Sequence, residues 1–372
     1  MNNNILNLNK PIKDTRVVVA MSGGVDSSVV ASLLHHAGYQ VIGITLQLYD
    51  HGQMLAKKNA CCAGVDIYDA KKVADKLGFA HYVLNYQNKF QEAVIDDFVD
   101  SYLRGETPIP CVKCNQSVKF RDLLQVAKDL NADCMATGHY VQKKIVNNHS
   151  ELHKAFDDNK DQSYFLFATT KEQLDFLHFP LGSFSKDQTR KLAEEFGLEV
   201  SNKPDSQDIC FVPNGDYTSI IKKHRPNSFK CGDLVHIASN KILGQHQGII
   251  NFTLGQRRGI GLAYPNPLYV VKIDPHTNQV FVGEEQYLNQ QIFTIKDCNW
   301  LITDPKIADK FNAKIRIRSN SQDHPALIEI LENNSAKIYM KSMTRAITKG
   351  QAGVIYDGQR VLGGGWIDNV IE

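Results

Sequence analysis

The sequence lacks the segments that place a protein in or across a membrane. No apolar run reaches the ~18 residues needed to span a bilayer. The N-terminal stretch MNNNILNLNKPIKD is polar and lacks the apolar core of a secretory signal peptide. We therefore expect a protein of the cytoplasm, or of a comparable reducing compartment, with no membrane partner.

The sequence also lacks a strong net charge and a second C-x-x-C pair. A formal charge of +2 over 372 residues does not by itself indicate a nucleic-acid partner. A hydrophobic share of 42% suffices for packed cores, and the length suggests two or three domains. The eight cysteines are expected to stay reduced, so clustered ones more often bind metal or perform chemistry. Cys134 and Cys298, in apolar or mixed surroundings, are interpreted as core residues, and the adjacent Cys61 and Cys62 as structural.

The first half of the chain alternates short β-branched runs with helical segments. Predicted strands are Arg16–Met21, Val41–Leu46, His81–Leu84 and Cys134–Ala136. Predicted helices are Asp26–His36, Asp66–Leu77, Phe90–Leu103, Val118–Leu130 and Lys186–Phe196. This alternation indicates an α/β fold with a doubly wound parallel sheet.

After about Cys210, short β-type runs separated by Gly, Pro, Asn and Asp take over. They include Leu268–Ile273, Gln279–Val282, Ala313–Ile317, Ala336–Met340 and Ala352–Tyr356. This pattern of short strands and turn residues predicts two small β-rich domains, the last of them barrel-like. The basic and polar segment Tyr217–Cys231 is interpreted as a linker or hinge. We divide the chain into a catalytic domain (1–213), a central β-rich or linker domain (214–284) and a C-terminal β-barrel-like domain (285–372).

The segment Ser22–Ser28 (SGGVDSS) lies between the first predicted strand and the first predicted helix. Adjacent glycines allow a tight turn and a close approach of the backbone to a ligand. The turn amides and the helix N-terminus favour an anion, and Ser22, Ser27 and Ser28 supply hydroxyl donors. The segment therefore predicts a phosphate-binding loop.

No lysine follows the glycines, so the loop is not the common P-loop, and it is not the dinucleotide fingerprint G-x-G-x-x-G. S-G-G-x-D-S resembles the signature of the PP-loop ATP pyrophosphatases, which cleave ATP between the α and β phosphates and transfer AMP to a carbonyl oxygen. Asp26 is expected to help hold Mg²⁺ on the pyrophosphate or to orient the loop. A carboxylate that stabilises the helix N-terminus is the alternative.

The pair Cys111 and Cys114 follows the segment Thr107–Pro110 (TPIP). Its two prolines predict an extended, rigid approach to the first cysteine. A C-x-x-C pair lowers thiol pKa values, and Lys113 adds a nearby positive charge. One isolated pair fits half a zinc site, a redox pair or two catalytic thiols. Structural zinc ranks low because the other half of a four-cysteine site is missing.

Blocks along nearly the whole chain resemble the tRNA-specific 2-thiouridylases, which replace O2 of the wobble uridine by sulfur. They are AMSGGVDSS (20–28), the CC-x3-D-x2-DA run (61–70), TPIPCVKCNQSVKF (107–120), ATGHY (136–140), KDQSYFLF (160–167), DSQDICFV (205–212), TLGQRRG (253–259) and GQAGVIYDGQRVLGGGWI (350–367). The first block indicates only a PP-loop enzyme. The combination of PCVKCN with DSQDICF is specific to the thiouridylases.

The resemblance implies roles for particular residues. Cys114 matches the family's nucleophile, and Cys210 the cysteine that carries a persulfide; the two alternate through a disulfide. Contacts to ATP are implied for Ala20, Met21, Ser22, Gly23, Gly24, Val25, Asp26, Ser27, Leu46 and Gly138. Contacts to the target base are implied for Ile109, Pro110 and Cys111. Contacts to tRNA are implied for His139, Lys160, Asp161, Gln162, Arg316, Ile317, Arg318 and Gln351.

The sequence departs from the family at Cys111, where many members have Asp. A thiol at neutral pH cannot replace a carboxylate that acts as acid, base or base contact. The departure also places three thiols, Cys111, Cys114 and Cys210, potentially near one another. A three-cysteine iron–sulfur cluster is therefore an alternative way of handling sulfur.

The implied chemistry explains why these parts occur together. Oxide is a poor leaving group, so ATP with Mg²⁺ adenylates O2 of uridine 34 and makes AMP the leaving group. A persulfide on Cys210 supplies sulfur, and covalent steps divide a difficult substitution into easier ones. The expected products are 2-thiouridine, AMP and pyrophosphate. The expected partners are the tRNA anticodon loop and a persulfide donor, such as a cysteine desulfurase or a sulfur relay protein.

The C-terminal region is locally basic, as an RNA partner requires. Between residues 305 and 350 there are nine Lys or Arg (306, 310, 314, 316, 318, 337, 341, 345, 349) and four Asp or Glu (309, 323, 329, 332). Arg316 and Arg318 alternate along a predicted strand and should share one face. Gln256–Arg258, between glycines, could bind phosphate. A solvated basic surface explains the same pattern, and the residues alone leave both open.

Two competing hypotheses remain. One is another PP-loop ATP pyrophosphatase, such as an amidotransferase or a lysidine synthetase, which would not need PCVKCN paired with a distant DSQDICF. The other is an RNA- or metal-binding module with a vestigial loop, against which the intact S-G-G-V-D-S argues.

Overall fold

The computed structural model describes residues 4–49, 63–205, 209–212, 215–302 and 308–371. The pair Cys61–Cys62 lies outside the described residues. The chain divides into two compact units. The first comprises residues 1–93, 111–213 and 359–361, and the second comprises residues 94–110, 214–358 and 362–372. Within the described ranges, no helix combines the length and the apolar character needed to cross a bilayer.

The first unit is built on a five-stranded parallel sheet. Its strands are β1 (Arg16–Ala20), β2 (Gln40–Gln47), β3 (Ala80–Asn85), β4 (Cys134–Thr137) and β7 (Leu177–His178), in the order β3-β2-β1-β4-β7. The β-branched centre of β1, Val17–Val19, is fully buried. Strands β5 (Val141–Val146) and β6 (His149–Lys154) form an antiparallel hairpin, which the sequence analysis missed. The sheet confirms the predicted α/β class.

Helices α1 (Val25–Ala37) and α2 (Ala63–Leu77) follow β1 and β2. Helix α1 begins after Gly24 and ends at Gly38, which adopts the left-handed conformation typical of a C-terminal cap. The first unit also contains α7 (Lys171–Phe176) and α8 (Lys186–Glu195), each opened by a capping box. One apolar core joins α1, α2 and α8 to strands β1, β2 and β4.

Two helical segments differ from their predicted form because they contain π-helical windings. The first runs through α3 (Gln87–Phe90), the π-helical residues Gln91–Ile95 and α4 (Asp96–Leu103). The second runs through α5 (Pro110–Lys113), a ten-residue π helix (Cys114–Leu123) and α6 (Leu124–Asp129). Helix α5 begins at Pro110, since proline suits the first helical position. Cys111 is therefore helical, and the non-helical segment that leads to it ends at Ile109.

The second unit contains a four-stranded sheet and a closed barrel. The sheet has β8 (Gly232–His236), β9 (Ile242–His246), β10 (Tyr269–Asp274) and β11 (Gln279–Gly283), in the order β10-β11-β8-β9. The barrel has β12 (Asn289–Trp300), β13 (Lys310–Arg316), β14 (His324–Leu331), β15 (Ser335–Arg345), β16 (Ala352–Asp357) and β17 (Arg360–Ile371), and β17 pairs back with β12. Both β-rich predictions are confirmed.

The predicted linker Tyr217–Cys231 contains an ordered helix, α9 (Tyr217–His224). Asp216 caps its N-terminus by accepting a hydrogen bond from the Ser219 amide, and Lys222 and Lys223 lie in its last turn. This placement of charge suits the helix dipole. The basic residues of this segment therefore belong to the C-terminal end of a helix, and the interpretation of residues 217–224 as a linker or hinge was wrong.

Candidate active site

The segment Ser22–Ser28 forms a tight turn between β1 and α1. Gly23 has a φ of +75°, which favours glycine, and any side chain on it would collide with the backbone of Asp66 at the start of α2. Gly24 precedes α1, whose free amides form the positive end of the helix. The geometry of this turn therefore suits the predicted binding of an anion.

The serine hydroxyls of this loop have different surroundings. Ser28 is fully buried and donates its hydroxyl to the Gly24 carbonyl at 2.9 Å. The hydroxyl of Ser27 accepts from the Ser22 amide at 3.1 Å, while the residue Ser22 is exposed. The Ser27 hydroxyl also donates to the Gly24 carbonyl, at 3.3 Å, so the hydroxyls of Ser27 and Ser28 both support the turn.

The other predicted nucleotide contacts lie at the carboxyl edge of the same sheet. Ala20 ends β1 between Ile44 of β2 and Thr137 of β4. Gly138 follows β4, and a Cβ on it would lie 2.8 Å from the Ser27 amide nitrogen. Leu46 is half-buried near the end of β2. Ligands of open α/β sheets bind at this edge, so the topology brings these residues to the expected place.

A buried lysine joins the phosphate loop to the segment that leads to Cys210. The Lys186 side chain is 10% exposed, and its ammonium lies 2.7 Å from Oδ1 of Asp26 and 2.7 Å from Oδ1 of Asp205. The Tyr140 hydroxyl also donates to Asp26, at 2.8 Å. Both Asp26 oxygens contact Lys186. Asp26 therefore fits the predicted orienting role.

Two further cationic side chains contact Asp205. Lys160 donates to its Oδ2 at 2.8 Å, and Arg190 lies 3.3 Å from its Oδ1. Burial opposes ionisation of Asp205, but hydrogen bonds from Lys160 and Lys186 outweigh it and hold the pKa of this carboxyl below its ordinary value. Asp205 is thus ionised at neutral pH and ties three basic side chains together.

Lys203 makes a second link to the phosphate loop. Its ammonium donates to the Gly23 carbonyl at 3.0 Å, to Asp69 at 2.7 Å and to Asp66. Burial lowers the pKa of Lys203, but hydrogen bonds to Asp66 and Asp69 more than compensate, so the net shift is upward. The D-x2-D pair of the CC-x3-D-x2-DA block is thereby explained: it anchors a lysine beneath the loop.

Three thiols converge in the first unit. Cys111, Cys114 and Cys210 lie near enough to one another that a negative charge on Cys114 raises the pKa of both other thiols, and one on Cys111 raises that of Cys210. Cys114 is buried, whereas Cys111 and Cys210 are exposed, and all three are free thiols. The convergence brings together two cysteines that are far apart in the sequence.

The pKa values of these thiols are raised. Desolvation by the surrounding protein raises the pKa of Cys114. The same effect raises the pKa of Cys210 to about 12, with added repulsion from Cys114 and Cys111, although part of the residue is exposed. The resting form of Cys210 is therefore the protonated thiol.

Lys119, not Lys113, is the cation that acts on all three thiols, and it lowers their pKa values against the effect of burial. Residues one apart on a helix face different ways, so Lys113 is badly placed to act on Cys114. In a π helix, hydrogen bonds link residues five apart, which places Lys119 one turn from Cys114 on the same side.

The predicted tRNA residues of the first unit are held by local contacts. His139 is half-buried against the edge of Phe120, and its Nδ1 lies 2.8 Å from the Thr137 hydroxyl. Burial and Lys119 lower the pKa of His139 to about 3, so it is neutral. Asp161 accepts from Ser163, and Gln162 from the Tyr140 amide. Their roles toward tRNA stay predictions.

In the second unit, Arg316 pairs with Asp323 at 2.8 Å, and Ile317 is buried. Strand β13 ends at Arg316, so Arg318 lies beyond it and donates to the Ala346 carbonyl at 2.8 Å. The shared strand face expected for Arg316 and Arg318 is therefore wrong, because the strand stops between them.

The segment before Cys111 is held within the second unit. Gln351 donates through Nε2 to the Thr107 carbonyl at 2.9 Å, and the Thr107 amide donates to the Lys349 carbonyl at 2.9 Å. Ile109 and Pro110 are buried. Gln351 therefore supports the backbone that precedes the predicted base contacts.

Among the described residues, no group of three or more His, Cys, Asp or Glu side chains is arranged to hold a metal ion.

Sequence reasoning assigned no role to Tyr140, Lys186, Lys203 and Asp205, and named Lys119 only within a block. Tyr140, Lys119 and Asp205 fall inside the family-like blocks, so the blocks pointed at them without a role. Lys186 and Lys203 carry no local signal, since an isolated lysine near a helix is usually exposed.

Models of three protein domain families match successive parts of the chain. Family models match residues 15–214 (tRNA methyl transferase HUP domain), 218–284 (tRNA methyl transferase PRC-barrel domain) and 290–367 (Aminomethyltransferase beta-barrel domain).

Among curated relatives, the tRNA-specific 2-thiouridylase MnmA of Rickettsia bellii is 61% identical over 360 residues, covering 97% of this chain and 98% of the relative. The relative of the same name from Rickettsia canadensis is 61% identical over 355 residues, covering 95% and 96%. That from Rickettsia conorii is 60% identical over 360 residues, covering 97% of each chain. These similarities confirm the resemblance found in the motifs: the chain belongs to the tRNA-specific 2-thiouridylase family.

Proposed function

We propose that this protein catalyses ATP-dependent 2-thiolation of the wobble uridine, position 34, of tRNA, giving 2-thiouridine, AMP and pyrophosphate. One observation carries the proposal: the first unit holds both an anion-binding loop and two distant cysteines, Cys114 and Cys210, that interact with each other. An adenylating enzyme of another kind needs the loop but not the thiols.

The phosphate loop performs the first step. Its amides and the N-terminus of α1 bind the phosphates of ATP, which is a substrate and would enter as its Mg²⁺ complex. O2 of the uracil attacks the α phosphorus, and pyrophosphate leaves with the electron pair of the broken bond. Two lysines stabilise the conformation of the loop: Lys203 donates to the Gly23 carbonyl, and Lys186 donates to Asp26.

The thiols perform the second step. The terminal sulfur of a persulfide on Cys210 attacks C2 of the adenylated base, and AMP departs with the former O2. The Cys114 thiolate then attacks the Cys210 sulfur, breaks its bond to the transferred sulfur and forms a Cys114–Cys210 disulfide. The transferred sulfur stays on C2, and an external thiol reductant supplies two electrons to restore the two thiols.

Lys119 supports both sulfur steps, since it favours the thiolate at each of the three cysteines. Cys111 stands where a carboxylate would serve as acid or base. We assign it no proton transfer, because burial raises the pKa of its thiol. The sulfur steps are assigned to the thiols alone, and no step is assigned to an iron–sulfur cluster.

The persulfide donor is inferred to be a cysteine desulfurase or a sulfur relay protein, because Cys210 is exposed and can be reached by another protein. The reducing conditions that this chemistry requires match those of the cytoplasm.

The test combines the protein with ATP, Mg²⁺, a persulfide donor and tRNA, and measures AMP and 2-thiouridine. We expect AMP and 2-thiouridine in equal amounts. Cys114→Ser and Cys210→Ser should abolish 2-thiouridine, while Cys231→Ser, an exposed thiol outside the cluster, should retain it. Release of ADP instead of AMP, or thiolation by the Cys210→Ser protein, would reject the proposal.

A further inference from the structure

Two arginines in the second unit stand apart from the others in this chain. The sequence has eleven arginines, all within the described ranges. Nine of them contact a protein oxygen: Arg16, Arg104, Arg121, Arg190, Arg225, Arg316, Arg318, Arg345 and Arg360. Arg257 and Arg258 are exposed, and neither guanidinium pairs with a described residue. Their charges are left available for a ligand.

The loop that carries them is held in one conformation. The Gln256 side chain accepts from the Thr253 amide at 2.9 Å and donates to the Arg258 carbonyl at 2.9 Å. The backbone of the same loop is tied to Val270, which accepts from the Gly255 amide at 2.8 Å. Gly255 and Gly259 adopt φ values of +82° and +77°, as the turn requires. The backbone that carries the two arginines is therefore already ordered before a ligand binds, which lowers the entropic cost of binding.

A cavity of about 420 Å³ adjoins this loop and is lined by residues between Arg257 and Leu268. Its size lies within the roughly 300–1,000 Å³ usual for small-ligand sites. Tyr264 lines it, is 40% exposed, and stacks on His236 with ring centroids 5.7 Å apart and planes 26° apart. The cavity is therefore lined by the ring of Tyr264, which packs on His236, and by Arg257.

An exposed aromatic face beside unpaired arginines matches one kind of ligand. Single-stranded RNA is bound by stacking its bases on aromatic rings while cations contact its phosphates. We propose that the Arg257–Leu268 segment binds one unpaired nucleotide of the tRNA substrate, with a phosphate at Arg257 and Arg258 and the base in the cavity against Tyr264. This inference rests on the proposed function, since it assumes tRNA as the substrate.

The test measures tRNA affinity at several salt concentrations for Arg257→Gln/Arg258→Gln and for Tyr264→Leu. The slope of log K against log salt changes by about 0.7 for each neutralised phosphate, so the double variant, which loses the one proposed phosphate contact, should have a slope smaller by about 0.7. Tyr264→Leu should weaken binding by roughly 5- to 150-fold without changing the slope. The matched control is Lys230→Gln/Lys241→Gln, which removes two other exposed charges of the same unit and should keep the native slope.

Other outcomes separate this site from its alternatives. A native slope in Arg257→Gln/Arg258→Gln, with melting temperature retained, would overturn the inference and leave the thiolation proposal intact. Binding of free UMP that these variants lose, with tRNA affinity unchanged, would identify a mononucleotide site and also overturn it. If these variants lost affinity for a persulfide donor protein but bound tRNA normally, the inference would also be overturned. Weakened tRNA binding by a protein that forms no 2-thiouridine would support the site and reject the proposed function.

Discussion

The phosphate loop and the thiol cluster belong to the same unit but are built in opposite ways. Around the loop, charged side chains are paired: Lys186 bridges two carboxylates and Lys203 two others. Around the thiols, Lys119 acts on three sulfurs without holding any of them in a hydrogen bond, and Cys210 is exposed. The difference follows the chemistry, because phosphates need fixed donors, whereas a sulfur carrier must reach a donor, a base and a second thiol.

The largest expected effect comes from removing the bridge at Lys186. Lys186→Met leaves Asp26 and Asp205, which are 31% and 25% exposed, without their shared cation. Breaking such a pair should cost about 3 kcal/mol of unfolding free energy, at the low end for buried pairs because both carboxylates keep some water contact. Urea denaturation measures it. Lys72→Met, which removes an exposed pair with Glu199, should unfold near the native midpoint; equal losses in the two variants would contradict a special role for Lys186.

A matched pair of glycines isolates the geometry of the loop. Gly23 and Gly78 have φ values of +75° and +80°, but only at Gly23 would a Cβ collide with backbone, that of Asp66. Each substitution by alanine should cost about 1–2 kcal/mol of backbone strain. Gly23→Ala should in addition lose ATP binding, measured by calorimetry, while Gly78→Ala keeps it. Similar ATP affinities in the two variants would show that the close packing on α2 does not shape the site.

At the thiol end, a smaller but diagnostic effect is expected on reactivity. A pKa of about 12 for Cys210 means that its thiolate fraction, and hence its alkylation rate, should rise about tenfold per pH unit from 7 to 10 without a plateau. Lys119→Met removes a charge that lowers this pKa, so alkylation at a given pH should slow. Lys113→Met serves as control and should react at the native rate. A plateau below pH 9, or equal slowing by both substitutions, would refute this account of the cluster.

The smallest expected effect concerns a single hydroxyl. Ser28 is fully buried, and its hydroxyl donates a hydrogen bond to the Gly24 carbonyl. Ser28→Ala should cost about 1 kcal/mol of unfolding free energy, since one hydrogen bond is lost at a site without water. Ser22→Ala, at an exposed position of the same loop, should leave stability nearly unchanged and act on ATP binding instead.

Much of this protein could be predicted because its signals are local. The β-branched run at 16–20 and the glycines at 23 and 24 specify a strand, a turn and a helix from neighbouring residues. The matching blocks named Cys114 and Cys210 as partners. The hairpin at 141–154 and helix α9 were missed, since charged strands and a basic, polar helix have weak periodicity.

The amino-acid sequence sufficed for the family and for the order of the α/β and β-rich parts, and it predicted the phosphate loop and the roles of Cys114 and Cys210, because each of these signals lies in a block of neighbouring residues. Folding was needed to reveal that Lys186 and Lys203 support the loop, and that Lys119 rather than Lys113 acts on the thiols. It also showed that Arg316 is engaged in an ion pair while Arg257 and Arg258 remain available. These contacts depend on the distances between residues that are remote in the chain and on the winding of the helices. The sequence pattern specifies neither the distances nor the winding.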